Sequence, residues 1–320
     1  MKCGWHCAAI GMAIGAVLTI VPQARTVFTD SPPAVYSVGA AFDSVRSRLV
    51  VFGGYKGQYV GDTWEWNGTS WTRVAATGPI ARNGPAMVFD EARQHVLLFG
   101  GDTRTTGSLG DTWAFDGKEW RQLATTGPPP RTCHAMVYDT RRQRVVLFGG
   151  NDQGAMLGDT WEWDGRAWTR VAADGPDART LFGLAYDSAR GRTVLFGGTS
   201  RLASDAPSHG DTWEWDGSRW QRTDATGPSA RDHIAMDYDA ARRVVVMHGG
   251  GTGPEAPGET WAFDGRAWTR ASTSGPRRRF ARLAFDARSR AILLYGGFDR
   301  EPSNELWRFD GAAWGMLAPR

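Results

Sequence analysis

Cysteine is nearly missing from this 320-residue chain: there are three, and two of them, Cys3 and Cys7, lie in the first few residues. Cys133 is alone in the remainder, so no internal disulfide can form there and stability has to come from a buried core. Lysine is almost as scarce, at Lys2, Lys56 and Lys118, and arginine carries most of the positive charge. The net charge is only +3, with no long block of either sign. Neither nucleic acid nor an anionic membrane surface is therefore implied as a partner. The densest basic stretch, GPRRRFAR at 275–282, reads as a solvated loop.

Long apolar runs are absent with one exception. From Cys7 to Val21 no residue is charged, but the run is short for a membrane span. With Lys2 before it and the small Ala24 after it, it has the shape of a secretory leader. Pro22 suits the cut poorly, so an uncleaved anchor is the alternative. The expected organisation is a leader or anchor over 1–24, a short linker over 25–33, and a folded body over 34–320 that is secreted or held in the periplasm or cell envelope. Residues 25–28, RTVF, could add an outer strand. Beyond the leader, no membrane insertion is expected. The Gly-x-Ser-x-Gly, phosphate-loop and dinucleotide patterns are missing too, as is any tight His-x-His or His-Glu-x-x-His spacing. No catalytic residue, cofactor or metal ligand is assigned on these grounds.

Glycine and tryptophan, by contrast, are abundant, at 41 and 16. Gly-Gly closes an apolar run six times, at Gly54, Gly101, Gly150, Gly198, Gly250 and Gly297, with spacings of 47, 49, 48, 52 and 47. A variable loop follows each, and then a phrase such as GDTWEWDGRAW (from Gly158) or the divergent NELWRFDGAAW (from Asn304). Six units of one period fill the chain from residue 34 onward, which excludes a two-domain split.

Each unit reads as four short strands. The first is AMVYD-like, and an Asp-x-x-Arg turn follows it. The second, VVLFGG-like, is apolar on consecutive residues and should be buried on both faces. In the third, DTWEW-like, the two aromatics share one face. Asp-Gly or Asn-Gly then makes a tight turn, and WTRV forms an edge strand. A single sheet with two apolar faces cannot bury both alone. Six of them stacked radially into a closed ring can. The tryptophans then fill the gaps between neighbouring sheets, each burying roughly 150–250 Å². A sugar-binding indole would stand in one or two units rather than in nearly all. The chain ends on a fourth strand, so the first and last units are expected to meet by packing alone.

Gly-Gly closing the second strand, an aromatic after it, and a Trp further on resemble the kelch repeat. That resemblance implies an all-β, six-bladed β-propeller of four-stranded antiparallel blades, with each first strand innermost. Some propellers of this kind are copper oxidases, using a Tyr linked to a Cys; here Cys133 is the sole candidate thiol. Others isomerise acidic sugars, but no catalytic motif matches.

Four-stranded meanders put the second-to-third loops and the inter-blade connections on one end. The loops at 55–60, 102–109, 151–157, 199–209, 251–257 and 298–303 are the most variable segments, and variation on a rigid scaffold marks a binding face. Each connection there also supplies an arginine: Arg82, Arg131, Arg179, Arg231, and Arg278 or Arg279, with Val35 in the first unit. One reading is a partial crown, including Arg279, that grips a carboxylate or phosphate at the channel mouth. The other pairs each arginine with a repeat acid such as Asp111, Asp159, Asp211 or Glu259. Positions where units differ are the better ligand markers. His134, His209, His233 and His248 are such positions on the loop end, while His95 belongs to the other end. The expected function is a binding module for a protein, peptide or glycan through the loop face. The alternatives are an enzyme acting on a sugar or small acid at the channel mouth, and a structural module within an envelope assembly.

Overall fold

The computed structural model describes residues 31–74, 77–202, 206–251 and 257–318. The leader and residues 25–30 lie outside the described residues. Six four-stranded antiparallel sheets occupy residues 39–74, 86–124, 135–172, 183–222, 235–272 and 282–318. They are blades 1 to 6. In blade 1 the strands are Gly39–Asp43, Arg48–Phe52, Thr63–Trp66 and Trp71–Val74, paired in chain order. First strands contact one another around the ring, including blade 1 against blade 6. No helix occurs among the described residues. The expected six-bladed propeller is what forms.

The second strands are apolar on both sides because each stands between two neighbours: Val96, Leu97, Leu98 and Phe99 are all fully buried. Of the fifteen described tryptophans none is exposed. The fourth-strand indoles also reach across to the preceding blade. Trp120 Nε1–H donates to Thr63 Oγ1 at 2.9 Å, Trp168 to Thr112 at 2.9 Å, Trp220 to Thr160 at 2.8 Å, Trp268 to Thr212 at 3.0 Å and Trp314 to Thr260 at 2.8 Å. Repeated Trp and repeated Thr are thus two halves of one inter-blade joint, apolar on the ring face and satisfied at its polar tip.

The junction between blades 6 and 1 is built differently. Leu306 replaces the threonine, and the Trp71 indole N–H and Tyr295 hydroxyl are buried there without a hydrogen-bond partner, their rings 5.0 Å apart. Closure is nevertheless not by packing alone, contrary to expectation. Val35 N–H donates to Ser303 O at 3.1 Å, Gly297 N–H to Val35 O at 3.1 Å, and Arg282 Nε–H to Val38 O at 2.9 Å. The segment before the first strand supplies main-chain bonds to the last blade, which apolar patterning does not reveal.

Candidate functional site at the channel mouth and lumen

The connections deliver the arginines into the blade walls, and this corrects the crown at the mouth. Arg82, Arg131 and Arg179 are fully buried. Arg82 grips Asp111 at 2.6 and 2.9 Å, Arg131 grips Asp159 at 2.8 and 3.0 Å, and Arg179 grips Asp211 at 2.7 and 3.1 Å. Arg231 reaches Glu259 at 3.2 Å, and Arg278 takes Glu305. Each is an inter-blade rivet. Gly54 N–H donates to the Arg82 carbonyl at 2.9 Å, binding that backbone to blade 1, while the guanidinium holds Gly100 O at 3.0 Å and Asp111, both in blade 2. Burial alone would raise the Asp111, Asp159 and Asp211 carboxyls, but the guanidinium bonds outweigh it and all three are lowered, Asp211 to about 2.

Arg279 stands one place off this pattern. The shorter connection puts Arg278 in the rivet position and Arg279 on the rim, where it bridges Phe298 and helps lower the Asp232 carboxyl. Residues 275–282 are therefore not simply the solvated loop expected: Arg278 is buried and Arg282 points inward.

What encircles the mouth is a layer that the repeat does not advertise. Ser37, Gly84, Cys133, Leu181, His233 and Phe280 each stand two residues before an inner strand, and all have positive φ, between 52° and 62°. Their backbones close a hydrogen-bonded circle. Gly84 N–H donates to Ser37 O at 2.8 Å, Cys133 to Gly84 at 3.1 Å, Leu181 to Cys133 at 3.4 Å, His233 to Leu181 at 2.8 Å, Phe280 to His233 at 3.3 Å and Ser37 to Phe280 at 3.3 Å. Five non-glycine residues are held left-handed in this layer, as are Ser47, Gln94, Gln143, Arg243 and Arg290 in the turns after the first strands, so the conformation belongs to the repeat.

Above this circle lies a cavity of about 540 Å³, lined by Asn83, Asp102, Thr132, Asn151, Gln153 and Leu202 among others. Beside it on blades 1 and 6 stands an aromatic cluster that joins the lining at Phe280. Tyr59, Tyr55 and Tyr36 follow edge to face at 5.4 and 5.7 Å, Tyr36 meets Phe280 and Phe298 at 5.4 Å each, and Phe280 meets His233 at 4.1 Å. On blades 2 and 3 the margin is polar. Tyr59 Oη–H donates to Asp102 at 2.8 Å, linking the two halves, and burial with that bond pushes its phenol up to about 12.

Below the circle a cavity of about 360 Å³ occupies the lumen. Most of its lining is small or apolar, as with Ala41, Val88 and Val137. Two inner-strand residues break that pattern. Asp237 stands where blades 2 and 3 carry Val88 and Val137, and its carboxylate accepts from Tyr238 N–H at 2.8 Å and from Phe285 N–H at 2.6 Å. Burial pushes this carboxyl up to about 6. Arg282 stands where the other blades carry Gly39, Ala86, Ala135, Gly183 and Ala235. Sequence reasoning passed over both, although AMDYD against AMVYD and RLAFD against AMVFD were visible as departures from the repeat.

The histidines do not converge. His134 is buried beside Phe99, and burial followed by the charges of Arg131 and Arg282 holds it well below its ordinary value. His209 meets Ser200 at 2.7 Å in its own loop. His248 is buried between Thr260 at 2.9 Å and Pro276 O at 2.8 Å, and burial lowers it to about 4. His233 alone faces the mouth, its Nδ1 2.5 Å from Asp232 Oδ1. Of the ligand candidates, His134 and His233 line the lumen, and His233 also lines the upper cavity. Among the described residues no three His, Cys, Asp or Glu side chains gather as a metal site would require.

A closed ring of six Gly-Gly-marked sheets with a furnished central channel defines a kelch-type propeller, a fold whose general role is binding or scaffolding. The comparison with family models agrees: residues 39–216 match the KLHDC2/KLHL20/DRC7 Kelch-repeats domain, and the chain belongs to that kelch-repeat family. No curated protein matches the sequence. Among solved structures, one described as "Structure of YjhT" is similar over 89% of this chain and 98% of its own, with a TM-score of 0.69 and 12% identity. That likeness shows the fold.

Proposed function

We propose that this protein is an exported binding module that takes a protein segment, peptide or glycan at its loop face, without chemistry of its own. The observation that carries this reading is the division of the mouth into an aromatic margin and a polar one above a closed backbone circle. Tyrosine faces give contact area at low entropic cost, and the amide and carboxylate groups opposite supply orientation. The arginines that would have argued for an anion-processing centre are occupied in the blade walls. Glycan and peptide arrays probed with purified protein test it. A ligand should emerge whose affinity falls about tenfold or more in Tyr55→Ala and in Asn151→Ala, a loss of roughly 1.4 kcal/mol or more. Binding that ignores both substitutions would remove the mouth from consideration. Recovery of the protein outside the cytoplasm, with its N-terminus sequenced, tests the leader.

One observation favours an enzyme as the second reading. His233 is oriented by Asp232, which also accepts from Ser208 at 2.9 Å, and this is the arrangement of a general base with its orienting acid. Conversion of an arrayed ligand, abolished by His233→Ala while binding survives, would favour it.

A further inference from the structure

We propose that the lumen below the mouth holds a second ligand site, at which Arg282 binds the carboxylate of a small organic acid. The guanidinium lies on the first strand of blade 6, one layer below the backbone circle, and lines the 360 Å³ cavity. Its Nε–H donates to Val38 O at 2.9 Å. Its Nη1 and Nη2 form no hydrogen bond or ion pair with any described residue. Every riveting arginine of the repeat has a carboxylate; this one, half-buried in the lumen wall, has none. A cation partly withdrawn from bulk water without a counter-ion is costly, and the groups around it do not offset that cost. Burial pushes the Cys133 thiol up and the His134 imidazole down, so both favour their neutral forms. Asp237, the acid that shares the cavity lining on blade 5, spends its oxygens on the main chain of blades 5 and 6. Burial also lowers Arg282 itself, the direction expected of a charge awaiting its partner.

The lining fixes the rest of the ligand. A cavity of this volume lies within the range of small-molecule sites. Its walls, including Ala40, Met87, Val88, Met136 and Ala284, offer methyl and thioether surface. A carboxylate with a short aliphatic body matches one fixed guanidinium set in apolar walls, whereas phosphate would leave most of its oxygens without donors. Blade 6 alone carries the cation; the five sister positions are glycine or alanine, and beside Gly39 and Gly183 the thioethers of Met87 and Met236 fill the space a side chain would take.

Calorimetric titration with acetate, butanoate and inorganic phosphate tests this, using the full chain, Arg282→Gln and Arg282→Ala. Gln keeps an N–H for Val38 O, and Ala restores the residue of sister blades, so both should fold with unchanged circular dichroism. Butanoate should saturate the wild type, acetate should bind more weakly, and phosphate should bind more weakly than butanoate. Both variants should lose butanoate affinity at least tenfold. The rate of Cys133 labelling by a thiol reagent should fall on addition of butanoate in the wild type and not in Arg282→Gln. Absence of saturation by all three anions, affinity in Arg282→Gln within twofold of wild type, or phosphate outcompeting butanoate would overturn the proposal. Tyr55→Ala should leave butanoate binding intact, so failure of this site and failure of the mouth are separable.

Discussion

Arg179 and Asp211 face each other through two parallel N–H···O contacts, 2.7 and 3.1 Å long, with the guanidinium fully buried in the wall between blades 3 and 4. Its backbone carbonyl accepts from Gly150 N–H of blade 3 at 2.9 Å. One residue therefore fastens two sheets, by main chain on one side and by side chain on the other. Removing it strands a carboxylate in the wall. Arg179→Met should cost about 3–5 kcal/mol, the range for breaking one side of a buried pair. Urea denaturation measures the loss. Ligand affinity at the mouth should not change in the fraction that remains folded.

His248 makes one blade junction acid-sensitive. Its imidazole is held near 4 by burial, below its unfolded value, so on acidification the unfolded chain gains the proton first. Stability should fall as pH drops from about 6.5 toward 4, by up to about 3 kcal/mol. His248→Phe restores the aromatic type seen at Phe52, Phe99, Phe148 and Phe196. At pH 7 it should cost about 1 kcal/mol, because Pro276 O loses a donor. At pH 5 the variant should equal or exceed the wild type. Parallel denaturation profiles at the two pH values would refute this.

Asp237 acts in the opposite sense. Its folded carboxyl, near 6, lies above the unfolded value of 3.8. Between those values the folded state holds a proton that the unfolded chain has released, so stability declines as pH rises from about 4 to 6. Asp237→Asn removes that dependence while keeping an acceptor. The stability of Asn relative to Asp should improve by about 2–3 kcal/mol from pH 4 to pH 7. Denaturation at both ends of this window checks it; an unchanged difference would mean that the carboxylate stays ionised throughout.

The junction of blades 6 and 1 should be where the ring opens first. It has Val35 in place of a riveting arginine and Leu306 in place of the indole-accepting threonine. Native-state hydrogen exchange should show the Val35 and Ser37 amides opening at lower free energy than those of Cys133 and Leu181. Equal protection around the circle would show that the main-chain bonds at the junction compensate in full.

The sheets and their stacking were legible because their signals are punctuated and repeated. Gly-Gly ends each second strand, Asp-Gly turns the third into the fourth, and indoles recur where neighbouring sheets meet. The site was less legible. The arginines could be placed near the channel from sequence, but whether a side chain turns into the wall or the lumen depends on blade twist, which spacing does not encode. Arg278 and Arg279 could not be separated because their connection is one residue shorter. Asp237 and Arg282 were readable in principle, as polar residues in strands whose sisters are apolar, yet the repeat itself drew attention to what the blades share. The tyrosine margin had no sequence signature, since Tyr36, Tyr55 and Tyr59 come together only after the chain has folded.

The six-membered backbone circle also acts as a gauge. Widening it requires several main-chain hydrogen bonds to give way together, so the passage it frames is set by side chains. Cys133, Leu181, His233 and Phe280 line the cavity above and the cavity below, Ser37 only the one below. A visitor passing from the mouth to the lumen is thus sized by the four side chains common to both linings.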